Sequence, residues 1–133
     1  MLETNNLNIK ITTEQEMTNA VKDFVNALIS SPQYIQFDHA SAIFQEDKEA
    51  VNALREYQTK ARDLQTKQMF NMVPKEEKEE MERLWMKFSA FPSVKDYFQA
   101  QEALQELCRD CGGVISKDCG LDYATACGSS CCG

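Results

Sequence analysis

Residues 47–70, DKEAVNALREYQTKARDLQTKQMF, carry the longest helical pattern of the chain. Within this stretch, side chains of one inward-facing stripe recur every three or four residues, at Val51, Leu54, Tyr57, Ala61, Leu64 and Gln68. That spacing lines them up along one side of an α-helix, as in a coiled-coil seam. We therefore expect a long helix whose partner packs alongside it.

Further helical patterns, separated by short breaks, lie on both sides of this stretch. Thr13 and Glu16 have the spacing of a capping box, which predicts the start of a first helix. Ser31-Pro32 ends that helix and begins a second one. Phe91-Pro92-Ser93 is a later break, where Ser93 is expected to cap the last helix. Gly112-Gly113 is expected to interrupt or end that last helix.

The composition favours helix throughout the body of the chain. The 133 residues fit one domain, and only five glycines and three prolines occur among them. We predict an all-α fold, a small helical bundle built on a long antiparallel helical hairpin. Its divisions are a flexible N-terminus at 1–12, a helical domain at 13–113, and an irregular, cysteine-rich tail at 114–133.

Charge and hydropathy argue against nucleic-acid binding, membrane insertion and secretion. A formal net charge of −7 argues against direct binding of nucleic acid, which needs a basic face. No apolar run reaches the roughly 18 residues of a membrane span, and residues 1–10 lack the pattern of a secretory signal. A cytoplasmic location follows as the expectation. The charged block at 75–80 is expected to face the solvent.

The cysteines are the most unusual feature of the chain. All six lie in its last 26 residues, at Cys108, Cys111, Cys119, Cys127, Cys131 and Cys132. Disulfide bonds that stabilise a fold would be distributed along the whole chain. Cysteines gathered at one end are instead typical ligands of zinc or of iron–sulfur clusters. Glycine follows Cys119, Cys127 and Cys132 directly, which lets the backbone approach a bound cluster closely.

The best candidate ligands are Cys119, Cys127, Cys131 and Cys132. Cys108 and Cys111 lie on the apolar stripe of the last helix, where core packing is favoured over ligation. The expected cofactor is an iron–sulfur cluster, with ligands completed by a partner chain if one chain supplies too few. Zinc is the alternative metal, although only Cys108-x2-Cys111 has the spacing of a zinc knuckle.

No enzyme constellation is evident in the sequence. The single histidine, His39, is far in sequence from every cysteine and is expected to be an ordinary surface or half-buried residue. A thiol-redox protein using Cys131-Cys132 or Cys108-x2-Cys111 is the remaining alternative. The helical faces carry more apolar surface than a thin hairpin covers, so we expect a second subunit or another protein to bury part of it. A closed monomeric bundle is the alternative.

Residues 89–107, SAFPSVKDYFQAQEALQEL, combine a short break with the pattern V-x-x-Y and later apolar residues of a final helix. This segment, together with the order of the upstream helices, resembles the YlbF/YmcA family of small helical proteins. The cysteine-bearing end, CGSSCCG at 127–133, is similar to the tail of YlbF-type members.

The resemblance implies a non-enzymatic, cytosolic regulatory role. In that branch of the family, YlbF, YmcA and YaaT proteins form a complex that is associated with iron–sulfur clusters. The complex acts as a specificity factor for RNase Y in messenger RNA processing. The resemblance implies ligand roles for Cys127, Cys131 and Cys132, and more weakly for Cys119.

Overall fold

The computed structural model describes residues 12–128. Within them there are helices and no strand, which confirms the predicted all-α class; the helices are α1 Glu14–Ile29, α2 Pro32–Glu46, α3 Lys48–Met69, α4 Lys75–Ser89, α5 Pro92–Cys119 and α6 Tyr123–Ala126. The flexible segment predicted at 1–12 lies outside the described residues, apart from residue 12. The chain divides into two compact units, Met1–Ser31 and Pro32–Gly133.

The described part of the first unit is α1 and its N-terminal cap. The Thr13 hydroxyl accepts a hydrogen bond of 3.1 Å from the amide of Glu16, whose carboxylate accepts one of 2.9 Å from the Thr13 amide. The predicted capping box is confirmed, because both of its bonds are present. No residue of α1 is buried.

The second unit contains the predicted antiparallel hairpin, formed by α3 and α4. Lys87 near the end of α4 pairs with Glu56 of α3 at 3.0 Å, and Lys67 near the end of α3 pairs with Glu77 of α4 at 2.8 Å. Ion pairs that join the end of each helix to the earlier part of the other require the helices to run in opposite directions.

The sequence predicted that the charged block at the start of α4 faces the solvent, but one of its residues does not. Glu77 is half-buried and lies between Lys60 and Lys67 of α3, at 3.7 and 2.8 Å. The hydrogen bond from Lys67 is the main reason why the pKa of Glu77 lies below its usual value. The sequence block therefore includes one residue that joins the two helices of the hairpin.

Helix α2 packs along α5, and aromatic rings form much of their contact. Tyr97 of α5 lies 5.5 Å from Phe37 and 5.4 Å from Phe44 of α2, measured between ring centroids. Rings at these separations and tilts interact favourably beyond their buried area.

The core lies where α3, α4 and α5 meet. It consists of Ala50 and Ala53 of α3, Phe88 of α4 and Val94 of α5, with Val94 fully buried. The two alanines are small enough to let the larger side chains approach the α3 backbone. Burial of a Phe or Val side chain contributes about 1.5–3 kcal/mol, so this small cluster matters for stability.

Ser93 does not cap α5 with its side chain, contrary to the prediction. The cap position belongs to Phe91, and Pro92 occupies the first turn. The buried Ser93 hydroxyl instead donates a hydrogen bond of 2.7 Å to the carboxylate of Asp47, which caps α3. A partner distant in sequence thus satisfies the hydroxyl, which local spacing could not reveal.

The prediction that Gly112-Gly113 interrupts or ends the last helix was also wrong. Helix α5 continues through both glycines to Cys119, so residues 114–119 of the expected irregular tail are helical. Each glycine costs about 1 kcal/mol relative to alanine, yet a helix already formed gains a hydrogen bond with every added residue. The helix ends at Cys119, and Gly120, its C-cap, has a left-handed φ of 70°.

Candidate functional site

The cysteines predicted as ligands are distributed along the C-terminal end of the second unit. Cys119 is the last residue of α5, and Cys127 is the C-cap of α6. Both of these side chains are exposed. Cys131 and Cys132 lie outside the described residues. The sequence-based site therefore begins where the long helix ends.

Helix geometry separates the cysteines of α5 from one another along its axis. Because an α-helix rises about 1.5 Å per residue, Cys119 lies roughly 12 Å beyond Cys111 and roughly 16 Å beyond Cys108. A zinc ion holds each thiolate at about 2.3 Å, so it cannot bridge either distance. While α5 remains continuous, Cys119 and the Cys108–Cys111 pair cannot be ligands of one zinc ion.

A short turn follows Cys119 directly and leads into α6. The amide of Gly120 donates to the carbonyl of Ser116 at 3.0 Å, and the amide of Tyr123 donates to the Ser116 hydroxyl at 3.1 Å. These bonds hold α6 against the end of α5. Cys127 is consequently kept at the same end of the unit as Cys119.

Asp122 fixes the start of α6. Its carboxylate accepts hydrogen bonds from the hydroxyl and the amide of Thr125, and both bonds lower the pKa of Asp122 below its ordinary value. The carboxylate therefore stays ionised in the turn between Cys119 and Cys127.

Two of the glycines that follow cysteines have backbone conformations that other residues rarely adopt. Gly120 has a φ of 70° and Gly128 a φ of 84°. Both values lie in the left-handed region, where a side chain is strained. Besides allowing close approach of the backbone, each of these glycines turns the chain next to a thiol.

Residues 12–128 by themselves do not assemble three or more cysteine, histidine or acidic side chains into a metal-binding group. With Cys131 and Cys132 beyond this range, the predicted ligand set Cys119, Cys127, Cys131 and Cys132 stays a prediction. The two described members fit a thiolate site in their chemistry and exposure.

The burial of Cys108, Cys111 and His39 can be compared with the burial predicted for them. Cys108 is exposed, so its predicted core packing was wrong, whereas Cys111 is half-buried. The reason is the length of α5: its buried residues all lie at or before Ala100, and its C-terminal half has none. His39 is exposed on α2, which agrees with the surface or half-buried position expected for it.

Large apolar side chains are exposed in two places. The sequence predicted uncovered apolar surface but not where it lies. On α1 a stripe of large apolar residues is open to solvent, including Met17, Val21 and Phe24. At the tip of the α3–α4 hairpin, Phe70 and Met72 are about 70% exposed. The apolar residues of MFNMV at 69–73 could have indicated this exposed tip. From the sequence, the segment was interpreted only as a break between two helices.

The model for "Control of competence regulator ComK, YlbF/YmcA" matches residues 17–118, which is more than half of the chain. The chain belongs to the YlbF/YmcA family. No curated protein matches it.

Membership in the YlbF/YmcA family confirms the resemblance found in the sequence and links the chain to competence regulation. The matched range runs from α1 almost to the end of α5, includes Cys108 and Cys111, and stops one residue before Cys119. None of the helices within residues 12–128 has the length and apolar character needed to cross a membrane.

Proposed function

We propose that this protein is a non-enzymatic, cytoplasmic member of a regulatory complex and that its C-terminal cysteines bind an iron–sulfur cluster. The observation that carries the proposal is the group of thiols that starts with Cys119 at the end of α5 and continues through Cys127 to Cys131 and Cys132.

The surroundings of the described thiols support ligation by this end of the chain. Cys119 and Cys127 are exposed, and each precedes a left-handed glycine, which leaves the backbone beside the sulfur uncrowded. Cys119, Cys127, Cys131 and Cys132 would hold the cluster. When bound, it supplies a centre that responds to oxidation and to iron supply.

Family membership and exposed apolar surface support a role in protein assembly. Large apolar residues of α1 and of the α3–α4 tip are exposed to solvent. Exposed apolar patches commonly bind other proteins. By resemblance, the partners are YmcA- and YaaT-like proteins or a further copy of this chain. The complex would modulate messenger RNA processing that depends on RNase Y.

Purification without oxygen tests the cluster. We expect brown protein with broad visible absorbance, which disappears when Cys119, Cys127, Cys131 and Cys132 are all replaced by serine. The matched control is the double variant Cys108→Ser/Cys111→Ser, which should keep the absorbance because α5 places this pair roughly 12 Å or more from Cys119.

Two results would contradict the proposal of an iron–sulfur cluster and favour one of the alternatives. Colourless protein with stoichiometric zinc, lost in the four-cysteine variant, would identify a zinc-binding adaptor. Metal-free protein that turns over a dithiol substrate would identify a thiol-redox protein. If the control variant lost the cluster instead, the assignment of ligands would be wrong.

A further inference from the structure

Two cysteines outside the predicted ligand set are neighbours along one side of α5. Cys108 and Cys111 are three residues apart, and this spacing in an α-helix places their Cα atoms about 5 Å from each other. A disulfide bond needs a Cα separation of about 4.4–6.8 Å. Both residues are thiols in the structure, with Cys108 exposed and Cys111 half-buried. An oxidant in solution can therefore reach Cys108, and the thiol of Cys111 is close enough to react next.

The regular helix does not bring these two side chains quite close enough for a bond. Cβ atoms three residues apart on a helix are separated by about 5–6 Å, whereas a disulfide holds them at about 3.5–4.5 Å. Bond formation must therefore draw the turn between Cys108 and Cys111 together by roughly 1 Å. In the continuous helix, the amides of Gly112 and Gly113 donate to the carbonyls of Cys108 and Arg109. Distortion of this turn weakens those two hydrogen bonds.

Helix α5 has little to hold it together where this distortion would occur. Glycine is less favourable in a helix than any residue except proline. A Cβ added at Gly112 or Gly113 would meet no described atom of another helix within 4 Å. The buried residues of α5 all lie at or before Ala100. The helix can therefore open from Gly112 onward without exposing a core, and segments with so few buried contacts open most readily.

We propose that Cys108 and Cys111 form a reversible disulfide bond that switches the C-terminal part of α5 between a helical and an open state. With both thiols reduced, α5 is continuous to Cys119. With the bond formed, the helix ends near Cys111 and residues 112–119 leave it. This switch goes beyond the proposed function and does not depend on a cluster, although Cys119 lies at the end of the segment that opens.

The oxidant that this switch requires is a small-molecule disulfide such as oxidised glutathione. The thiolate of Cys108 attacks one sulfur of the oxidant, forms a mixed disulfide and releases the other half as a thiolate. The thiolate of Cys111 then attacks Sγ of Cys108 and releases the second half. The two released thiolates take up the two protons that the cysteines lose, and two electrons pass from the protein to the oxidant.

The helix itself makes the bond easy to reduce again. Formation of the bond costs either strain in the turn or the helical hydrogen bonds of residues 112–119, so the helix favours the reduced form. Strained or exposed disulfides have more oxidising potentials than structural ones and are the labile, regulatory kind. In a reducing cytosol, where disulfides are mostly transient, the bond should therefore form only when the supply of oxidant rises.

Equilibration with mixtures of reduced and oxidised glutathione, in the absence of oxygen, tests the switch. The protein is the full chain with the four predicted ligands replaced by serine, so that Cys108 and Cys111 are its only cysteines. We expect an intramolecular bond, detected by mass spectrometry as the loss of two hydrogens and of both alkylatable thiols. Circular dichroism should show less helix in the oxidised protein, and hydrogen exchange should locate the loss at residues 112–119.

The matched control moves one thiol to another side of the helix. In the same background, Asp110→Cys/Cys111→Ser places the two thiols two residues apart, where helical side chains do not face each other. This variant should carry glutathione on its thiols instead of an intramolecular bond. A second variant, Gly112→Ala/Gly113→Ala, favours the continuous helix and should lower the equilibrium constant for bond formation about tenfold.

Three results would overturn the proposal. The first is protein that keeps both thiols, or carries only glutathione, in all of the mixtures. The second is an intramolecular bond that leaves helix content and hydrogen exchange unchanged. The third is an alanine variant that oxidises as readily as its parent. None of these results bears on the cluster, because the tested chain lacks the four predicted ligands and metal content is measured on the wild type.

Discussion

Ser93 at the start of α5 donates a hydrogen bond of 2.7 Å to Oδ2 of Asp47, the residue that caps α3. The other carboxylate oxygen, Oδ1, accepts one of 3.1 Å from the amide of Ala50. One carboxylate therefore joins the beginnings of two helices that are far apart in sequence. The hydrogen bond from Ser93 is the main reason why the pKa of Asp47 lies below its ordinary value of 3.8.

The Asp47–Ser93 bond predicts a specific dependence of stability on acid. A carboxyl group with a lowered pKa in the folded state stabilises the protein fully above its ordinary pKa of 3.8, and this contribution is lost as the pH falls towards the lowered value. We expect Ser93→Ala to lower the melting temperature at pH 7 and to reduce the further loss on acidification to pH 3. Thermal unfolding at the two pH values measures both effects.

Ser89→Ala is the control for this experiment, because the Ser89 hydroxyl donates only to the Met86 carbonyl of its own helix at 3.3 Å. It should leave the acid dependence unchanged. An equal response of both variants to pH would show that the Asp47 carboxylate gains nothing from Ser93.

The continuity of α5 predicts that alanine is better than glycine at its centre. Gly112 and Gly113 are helical, and no other described atom lies within 4 Å of the position of an added Cβ. Gly112→Ala and Gly113→Ala should each raise the free energy of unfolding by about 0.5–1 kcal/mol, measured by urea denaturation. Destabilisation by either change would indicate a break in the helix at this point.

The opposite result is expected at the end of the same helix. Gly120 has a φ of 70°, which an alanine adopts only with strain. Gly120→Ala should lower the free energy of unfolding by about 1 kcal/mol in the same urea titration. A stabilising effect would contradict the left-handed end of α5.

The core cluster predicts a large difference between two neighbours on α4. Phe88 is buried against α3 and α5, whereas Met86 is 64% exposed. Phe88→Ala should cost about 3–5 kcal/mol of unfolding free energy, because it removes buried area and leaves a cavity. Met86→Ala should change it by less than about 0.5 kcal/mol. Similar losses in the two variants would place the core elsewhere.

Local signals in the sequence were sufficient to predict most helix boundaries. The capping box of Thr13 and Glu16, and the prolines at 32 and 92, act on residues within one turn, so their effects can be read without knowing the tertiary structure. The family resemblance rested on such helical patterns, and the family match confirmed it.

The interactions that sequence reasoning missed are those between distant segments. The partner of Ser93 is 46 residues away in sequence, and Glu77 turns towards two lysines of another helix. Cys108 follows an apolar stripe at regular spacing, but the buried part of α5 ends well before it. A periodic pattern defines the face of a helix and does not define how far its partners extend.

The iron and sulfide content of the protein tests most directly whether the thiols at the end of the chain bind a cluster. Iron and acid-labile sulfide should be present in nearly equal amounts per chain in wild-type protein purified without oxygen, and Cys119→Ser should lower both. Protein that contains neither iron nor sulfide under these conditions would contradict the claim.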